Sequence, residues 1–204
     1  MAIPDYQSLM LPVLEIACTG ESSVPETEAA ITTRFGLTPE ESEQRLPSGK
    51  QRVLPNRIHW AKFYLTKAGF LETPRRGRFA ITDSGRHLLA HPPETLNTKY
   101  LMSTPAFRDF WFSSRNGEEA DGAVPVLPVE SDRATPEETV EAAYKAMQAA
   151  LRSTILGYIL QKSPGLFERL IVELLVAMGY GGSQQNAAEQ LGRTGDGGVD
   201  GVIN

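Results

Sequence analysis

One cysteine, three histidines and no long apolar run are the scarcest features of this 204-residue chain, and each scarcity closes off a class of protein. Cys18 alone supports neither an intrachain disulfide nor a thiolate zinc site, and is expected to be a buried, inert thiol. His59 has no second ligand type three or four residues on, so it reads as a polar side chain and not as half of a metal pair. The apolar stretch from Leu11 to Ala17 is interrupted by Glu15 and follows no basic segment, which argues against a signal peptide. No uncharged run reaches membrane-spanning length, so a cytoplasmic location with no membrane partner is expected. What remains is an ordinary globular composition, 41% apolar, at a length that suits one or two domains.

The net charge of −5 argues by itself against a polyanionic partner, but its distribution argues for one. Residues 1–49 carry two basic and eight acidic side chains, a balance of −6. Residues 50–91 carry nine basic side chains (Lys50, Arg52, Arg57, Lys62, Lys67, Arg75, Arg76, Arg78, Arg86) against Glu72 and Asp83, a balance of +7. Opposite fields inside one small domain suggest a surface turned towards a polyanion and a second surface turned away.

The order of elements in the same region agrees. Tyr6 to Ala17 carries Leu9, Leu11, Val13, Leu14 and Ile16 and predicts a first helix, and Pro25 to Phe35 a second. Thr38-Pro39-Glu40-Glu41 has capping-box spacing and opens a short third. In a fourth, from Asn56 to Ala68, Trp60, Ala61, Tyr64, Leu65 and Ala68 form an apolar stripe, with Asn56, His59, Lys62, Phe63 and Thr66 opposite. Gly69 ends it, and the runs Phe70–Thr73 and Phe79–Thr82 around Pro74-Arg75-Arg76-Gly77-Arg78 predict a β-hairpin, followed by a closing helix to Ala90. Helix, arginine-tipped hairpin, helix is the winged-helix order. On that reading Asn56, His59, Lys62 and Phe63 enter the major groove of double-stranded DNA, Arg52 and Arg57 belong to the same basic surface, and Arg75, Arg76 and Arg78 contact phosphates or the minor groove. The arginines by themselves would also fit a solubilising loop; the helix before them favours DNA.

From His91-Pro92-Pro93 the character changes. Tyr100, Leu101, Met102, Phe107, Phe110, Trp111 and Phe112 form an aromatic cluster that reads as a strap packed against a domain; a base-stacking pocket is the alternative. Ser113 to Thr135, rich in Gly, Pro and acids, reads as a flexible linker. Thr135-Pro136-Glu137-Glu138 then caps a helix running towards Gln161. Ser163-Pro164 opens another, whose stripe of Phe167, Leu170, Ile171, Leu174, Leu175 and Met178 predicts a wide buried face. Glu168 falls at the margin of that stripe, where it either points inward or snorkels to solvent, and Glu173 falls on the far side.

The chain closes with Gly192-Arg193-Thr194-Gly195-Asp196-Gly197-Gly198-Val199-Asp200-Gly201-Val202-Ile203, a glycine-rich loop entering a strand. Such a cluster is a plain surface turn in the absence of other signals. As a calcium loop it fails, because Gly198 stands where an oxygen ligand belongs and no closing Glu follows. The reading as the metal-binding acid of a phosphodiesterase site needs support from upstream; a carboxylate at the entry to a strand would be held rigidly, which suits a hard cation.

Ser163-Pro164 with Phe167-Glu168, then Leu174-Leu175, Met178-Gly179-Tyr180-Gly181-Gly182 and the Thr194–Gly201 motif, resembles the start of the catalytic domain of Mrr-type restriction endonucleases, of the PD-(D/E)xK nuclease superfamily. That family also carries an N-terminal winged-helix domain, so the resemblance runs through the whole chain. It implies an α+β protein: a winged-helix DNA-binding domain at 1–91, an aromatic strap and flexible linker at 92–136, and a truncated restriction-endonuclease-like α/β domain at 137–204. It implies that Asp200 is the catalytic metal-binding acid, that Glu168 is the helix glutamate of the site, and that Gly195, Asp196, Gly197 and Gly198 organise the loop. It implies Mg2+ as cofactor, hydrolysis of phosphodiester bonds in methylated double-stranded DNA, and, because cutting both strands takes two sites, a homodimer or larger homo-oligomer. The family's Gln-x-Lys on the following strand does not occur within the 204 residues, so the chain by itself is expected to be inactive. Two other readings stay open: a non-catalytic winged-helix DNA-binding regulator or remnant, and an adaptor whose winged helix binds protein.

Overall fold

The computed structural model of the protein describes residues 3–115, 133–179, 188–189 and 202–203. The chain divides into two compact units, Met1–Ala143 and Tyr144–Asn204.

In the first unit, α1 (Met10–Cys18) buries Met10, Pro12, Val13, Leu14 and Ala17. Cys18 ends that helix exposed, against the expectation of a buried thiol: it lies past the last inward position of the stripe. α2 (Val24–Phe35) starts in a full capping box, with the Ser23 N–H donating to Glu26 Oε2 at 2.8 Å and the Glu26 N–H returning to Ser23 Oγ at 3.4 Å. α3 (Pro39–Ser42) repeats the device with Thr38 and Glu41. A narrow turn then folds back on itself. Arg45 bridges Arg52, Leu46 N–H donates to Gln51 O at 2.9 Å, and Val53 N–H donates to Gln44 O at 2.8 Å.

That turn delivers the chain into α4 (Val53–Lys67), three residues ahead of the predicted start. Pro55 does not delay it, because a proline in the first turn gives up an N–H that the helix does not use. α4 is the centre of the unit: Leu54, Ile58, Ala61 and Leu65 are wholly buried, and Trp60 and Tyr64 nearly so. It packs against α1, α2, the hairpin that follows it and the two helices of the aromatic segment at Thr98–Leu101 and Pro105–Arg115.

The hairpin pairs β1 (Leu71–Glu72) antiparallel with β2 (Ala80–Ile81), in the register Leu71 to Ile81 and Glu72 to Ala80. Ser22 bridges Phe79, which ties the segment before α2 to the far arm of the hairpin. α5 (Asp83–Ala90), capped by Thr82, crosses close behind β1. Gly85 makes that approach possible, since a Cβ there would lie 2.3 Å from Phe70 O and 2.7 Å from Ile81 Cγ1. α6 (Thr98–Leu101) and α7 (Pro105–Arg115) are the aromatic strap. Leu101 and Phe107 are wholly buried, Phe107 stands edge-on to Tyr64 at 5.6 Å, and Phe110 stands edge-on to Phe63 at 5.6 Å. Tyr100, Met102, Phe110 and Trp111 are partly buried against the core and Phe112 is exposed, so the segment packs on the domain as a strap.

α8 (Pro136–Leu160) starts on this unit, and Thr135, read from sequence as the end of a linker, is wholly buried there.

The second unit contains α9 (Pro164–Ala177), β3 (Ala188–Glu189) and β4 (Val202–Ile203). β3 and β4 pair antiparallel, Ala188 opposite Ile203 and Glu189 opposite Val202. The strand expected after the glycine-rich motif therefore finds its partner upstream, in a segment with no clear strand pattern. α9 runs where the sequence places it, but its stripe is not buried: Phe167 is 50% exposed and Leu174 52%, and no residue of the helix is buried. An amphipathic face is hidden only where another element lies against it.

Candidate nucleic-acid interface and nuclease motif

Three features carry the candidate DNA-contacting basic residues of the first unit: the hairpin tip, α4 and the turn before α4. At the tip, Arg75 and Arg78 are already engaged, pairing with Glu21 at 2.8 Å and Glu26 at 2.5 Å. Arg76 is exposed and has no ion pair among the described residues. Glu26, holding the Arg78 guanidinium and two hydrogen bonds from Ser23, titrates below the usual carboxylate range. Both acids are exposed, so these pairs are weak tethers that a phosphate can replace.

Along α4 the predicted DNA face divides. His59 is exposed and Lys62 half-exposed, in line with Pro55 and Thr66 at helical spacing. Partial burial, then the charge of Lys62, hold the His59 imidazole below its ordinary pKa, with Glu137 opposing. It is neutral at pH 7, able to offer a hydrogen bond but no charge. The other margin of the face is covered. Phe63 packs edge-on against Trp60 and Phe110, and Lys67 lies over the Phe63 and Phe110 rings. Asn56 is buried, with its amide donating to Gln51 Oε1 at 3.0 Å and its carbonyl oxygen 2.7 Å from the buried Thr135 hydroxyl. Arg57 donates to Glu138 Oε1 at 2.7 Å and to the carbonyls of Ile3 and Pro4 at 2.6 and 3.1 Å. Arg52 is held by Glu28 at 2.5 Å and Glu43 at 3.2 Å. Asn56 and Phe63, which the helical wheel turns towards DNA, and Arg52 and Arg57, read as part of the same basic surface, thus sit in packing and anchoring positions. A wheel drawn on one helix does not know that the start of another will cover one edge of it.

That covering segment is what the sequence reading missed. Thr135 and Glu138 form a capping box, with the Thr135 N–H to Glu138 Oε2 at 2.8 Å, and the acids of the same two turns reach back to α4 and to the turn before it. Trp60 Nε1–H donates to Glu137 Oε2 at 2.5 Å, Arg57 to Glu138, and the Ser48 N–H to Glu141 Oε2 at 2.8 Å. Tyr64, buried in the same neighbourhood beside Tyr6 and Glu137, has its phenol pushed well above the usual pKa and stays neutral. The sequence signal was present as the run Thr135-Pro136-Glu137-Glu138, legible as a helix start and silent about its partner.

In the second unit, Glu168 sits half-buried on α9, and Glu173 is exposed beside Arg169 at 3.7 Å. Gly195, Asp196, Gly197, Gly198 and Asp200 lie outside the described residues, with β4 beginning two residues after Asp200. Among the described residues no cluster of three His, Cys, Asp or Glu side chains could hold a metal ion, and no helix is long and apolar enough to cross a membrane.

The comparisons with known proteins divide the chain in the same order. Residues 6–91 match the Mrr N-terminal domain, and residues 159–204 match a restriction endonuclease family. The two matches lie in the order Mrr N-terminal domain, then restriction endonuclease. Among curated proteins it is 28% identical over 215 residues to the type IV methyl-directed restriction enzyme EcoKMrr of Escherichia coli (strain K12), covering all of this chain and 68% of that protein. No solved structure matches.

Proposed function

We propose that this chain provides the DNA-reading domain and the first part of the nuclease domain of an Mrr-like restriction endonuclease, which hydrolyses phosphodiester bonds in methylated double-stranded DNA with Mg2+ as cofactor. The two family matches in sequence order, together with the similarity to a methyl-directed restriction enzyme, support the nuclease reading. The observation that carries the DNA reading is the path of the first unit. A central helix leads directly into a two-stranded hairpin tipped by Arg75, Arg76 and Arg78, and the hairpin is tied back through Phe79 to Ser22. That is the winged-helix order, with α4 as recognition helix and residues 73–78 as wing.

On this reading His59, Lys62 and Thr66 face the groove, Arg76 meets the backbone first, and Arg75 and Arg78 exchange Glu21 and Glu26 for phosphates. The anchored residues Arg52, Asn56 and Arg57 hold α4 at its angle. In the nuclease domain the donor set of Asp200 with Glu168 is oxygen-only, which fits a hard divalent ion and not a soft one. When bound, such an ion supplies charge neutralisation at the phosphate and a water of lowered pKa. Asp200 is the ligand, Glu168 completes or orients the acidic side of the site, and Gly195, Asp196, Gly197 and Gly198 set the backbone that presents it. The expected assembly in the complete protein is a homodimer or larger, one site for each strand.

Fluorescence anisotropy with a methylated and an unmethylated duplex, followed by a cleavage assay in Mg2+, tests the proposal. The 204-residue chain by itself is expected to bind and not to cut, because it contains no Gln-x-Lys after Asp200. In the complete protein Asp200→Ala is expected to abolish cutting and leave binding intact. Cutting by the Asp200→Ala protein would remove that residue from its role, and absence of duplex binding by the wild-type chain would defeat the reading.

A further inference from the structure

We propose that the tip of the turn before α4, Ser48 with Gly49 and Lys50, is a phosphate-binding site for the DNA backbone, filled in this structure by the carboxylate of Glu141. The inference rests on the DNA-reading role proposed above and adds to it a contact point and an internal competitor. Both oxygens of Glu141 are received at Ser48: Oε2 by the backbone N–H at 2.8 Å, and Oε1 by the hydroxyl. A non-bridging pair of phosphodiester oxygens presents the same two acceptors to the same two donors. The backbone is preset for this. Gly49 takes φ +72°, its N–H closes the turn onto Leu46 O at 2.8 Å, and the Ser48 N–H is left pointing outward.

Two cations stand at the turn. Arg45 Nη1 donates to Gly49 O at 2.9 Å, covering an acceptor that would repel a phosphate, and Lys50 is exposed with no ion pair among the described residues. Ser48 stands five residues before α4 begins, on the turn that leads into the helix bearing His59 and Lys62. A contact there and a wing contact at Arg76 would hold the duplex on both sides of the recognition helix. The Ser48–Glu141 pair is exposed, so an incoming phosphate exchanges one acceptor for another and buries no group unsatisfied.

The test uses the full 204-residue chain and a short duplex, with anisotropy measured across a salt series. Glu141→Ala is expected to tighten binding by about two- to tenfold, the worth of one exchanged hydrogen-bonded pair. Lys50→Ala and Ser48→Ala are expected to weaken it, and Lys50→Ala also to reduce the logarithmic salt slope by about 0.9. Unchanged affinity in Glu141→Ala, with a lowered melting temperature, makes the glutamate a structural clip and overturns the proposal. Weaker binding in Lys62→Ala and Arg76→Ala, with none in the Ser48 and Lys50 variants, overturns the site and leaves the DNA reading standing. A wild-type chain that fails to bind duplex at about 50 mM salt overturns the reading itself. Inorganic phosphate is the second probe: if millimolar phosphate raises the melting temperature of Glu141→Ala while its duplex affinity is unchanged, the site takes a free anion and the assignment to DNA is wrong.

Discussion

α4 in the first unit and α9 in the second are both amphipathic helices of similar length, yet α4 buries eight residues and α9 buries none. The apolar spacing of α9 is the more regular of the two. The difference lies in what surrounds them: α4 is enclosed by α1, α2, the hairpin, α6 and α7, whereas α9 has β3 against it and Phe167, Leu170, Ile171, Leu174 and Met178 stay exposed. Periodicity therefore reports which face a helix is prepared to hide, and only packing reports whether it is hidden.

The sharpest way to break that contrast is truncation of matched side chains. Leu65→Ala and Phe107→Ala in the first unit are expected to cost about 2–5 kcal/mol each, because both side chains are wholly buried. Leu174→Ala in α9, at 52% exposure, is expected to stay within about 0.5 kcal/mol. Chemical denaturation of the 204-residue chain reads both, and an equal loss at Leu174 would show that the α9 stripe is covered in solution.

A smaller effect separates packing from pattern. Gly85→Ala raises helix propensity in α5, but its Cβ meets the Phe70 carbonyl, a backbone atom that cannot turn aside. It is expected to destabilise by about 1–3 kcal/mol despite the better propensity. A neutral or stabilising result in a thermal melt would mean that α5 does not lie so close to β1.

Of similar size is the buried polar join between α4 and the start of α8. Thr135→Val removes the hydroxyl and leaves the Asn56 carbonyl buried without that partner, at an expected cost of about 1–3 kcal/mol. Replacing both residues, with Asn56→Leu added, should cost less than the sum of the single changes if the pair is coupled. Strict additivity would show that the two do not meet.

The smallest effect is in pH. His59 titrates below its unfolded value of about 6.5, so the folded state disfavours its charged form. Its contribution is fully present above pH 6.5 and is lost as pH falls from there through the folded pKa. His59→Gln should flatten the stability profile below pH 6.5 and leave it unchanged above. NMR titration of the imidazole midpoint checks the direction, and a midpoint above 6.5 would refute it.

Much of the first unit was legible in advance because its signals are local. The capping boxes at Thr38 and Thr135, the stop at Gly69 and the paired runs around Arg75–Arg78 each act within a few residues, and each element lies where they place it. α4 starts three residues ahead of the predicted Asn56, with Pro55 inside its first turn. The acidic and basic halves noted in the composition meet in the folded unit, where Glu21, Glu26 and Glu28 reach Arg75, Arg78 and Arg52. That meeting changes their meaning, since the arginines with partners must release them before they can serve DNA. Of the candidate catalytic residues, Glu168 is placed on its helix as expected, and Asp200 lies outside the described residues.

The sequence by itself determined the order of the elements in the first unit and the family resemblance, because caps, turns, periodicity and short motifs are properties of neighbours along the chain. Only the tertiary structure decided that Asn56, Arg57 and Phe63 are anchors, that Cys18 is exposed, and that Glu141 sits on Ser48. Those outcomes depend on which side chains from distant segments compete for the same donors and the same surface. Ser48 and Glu141 are 93 residues apart, beyond the range of any local pattern.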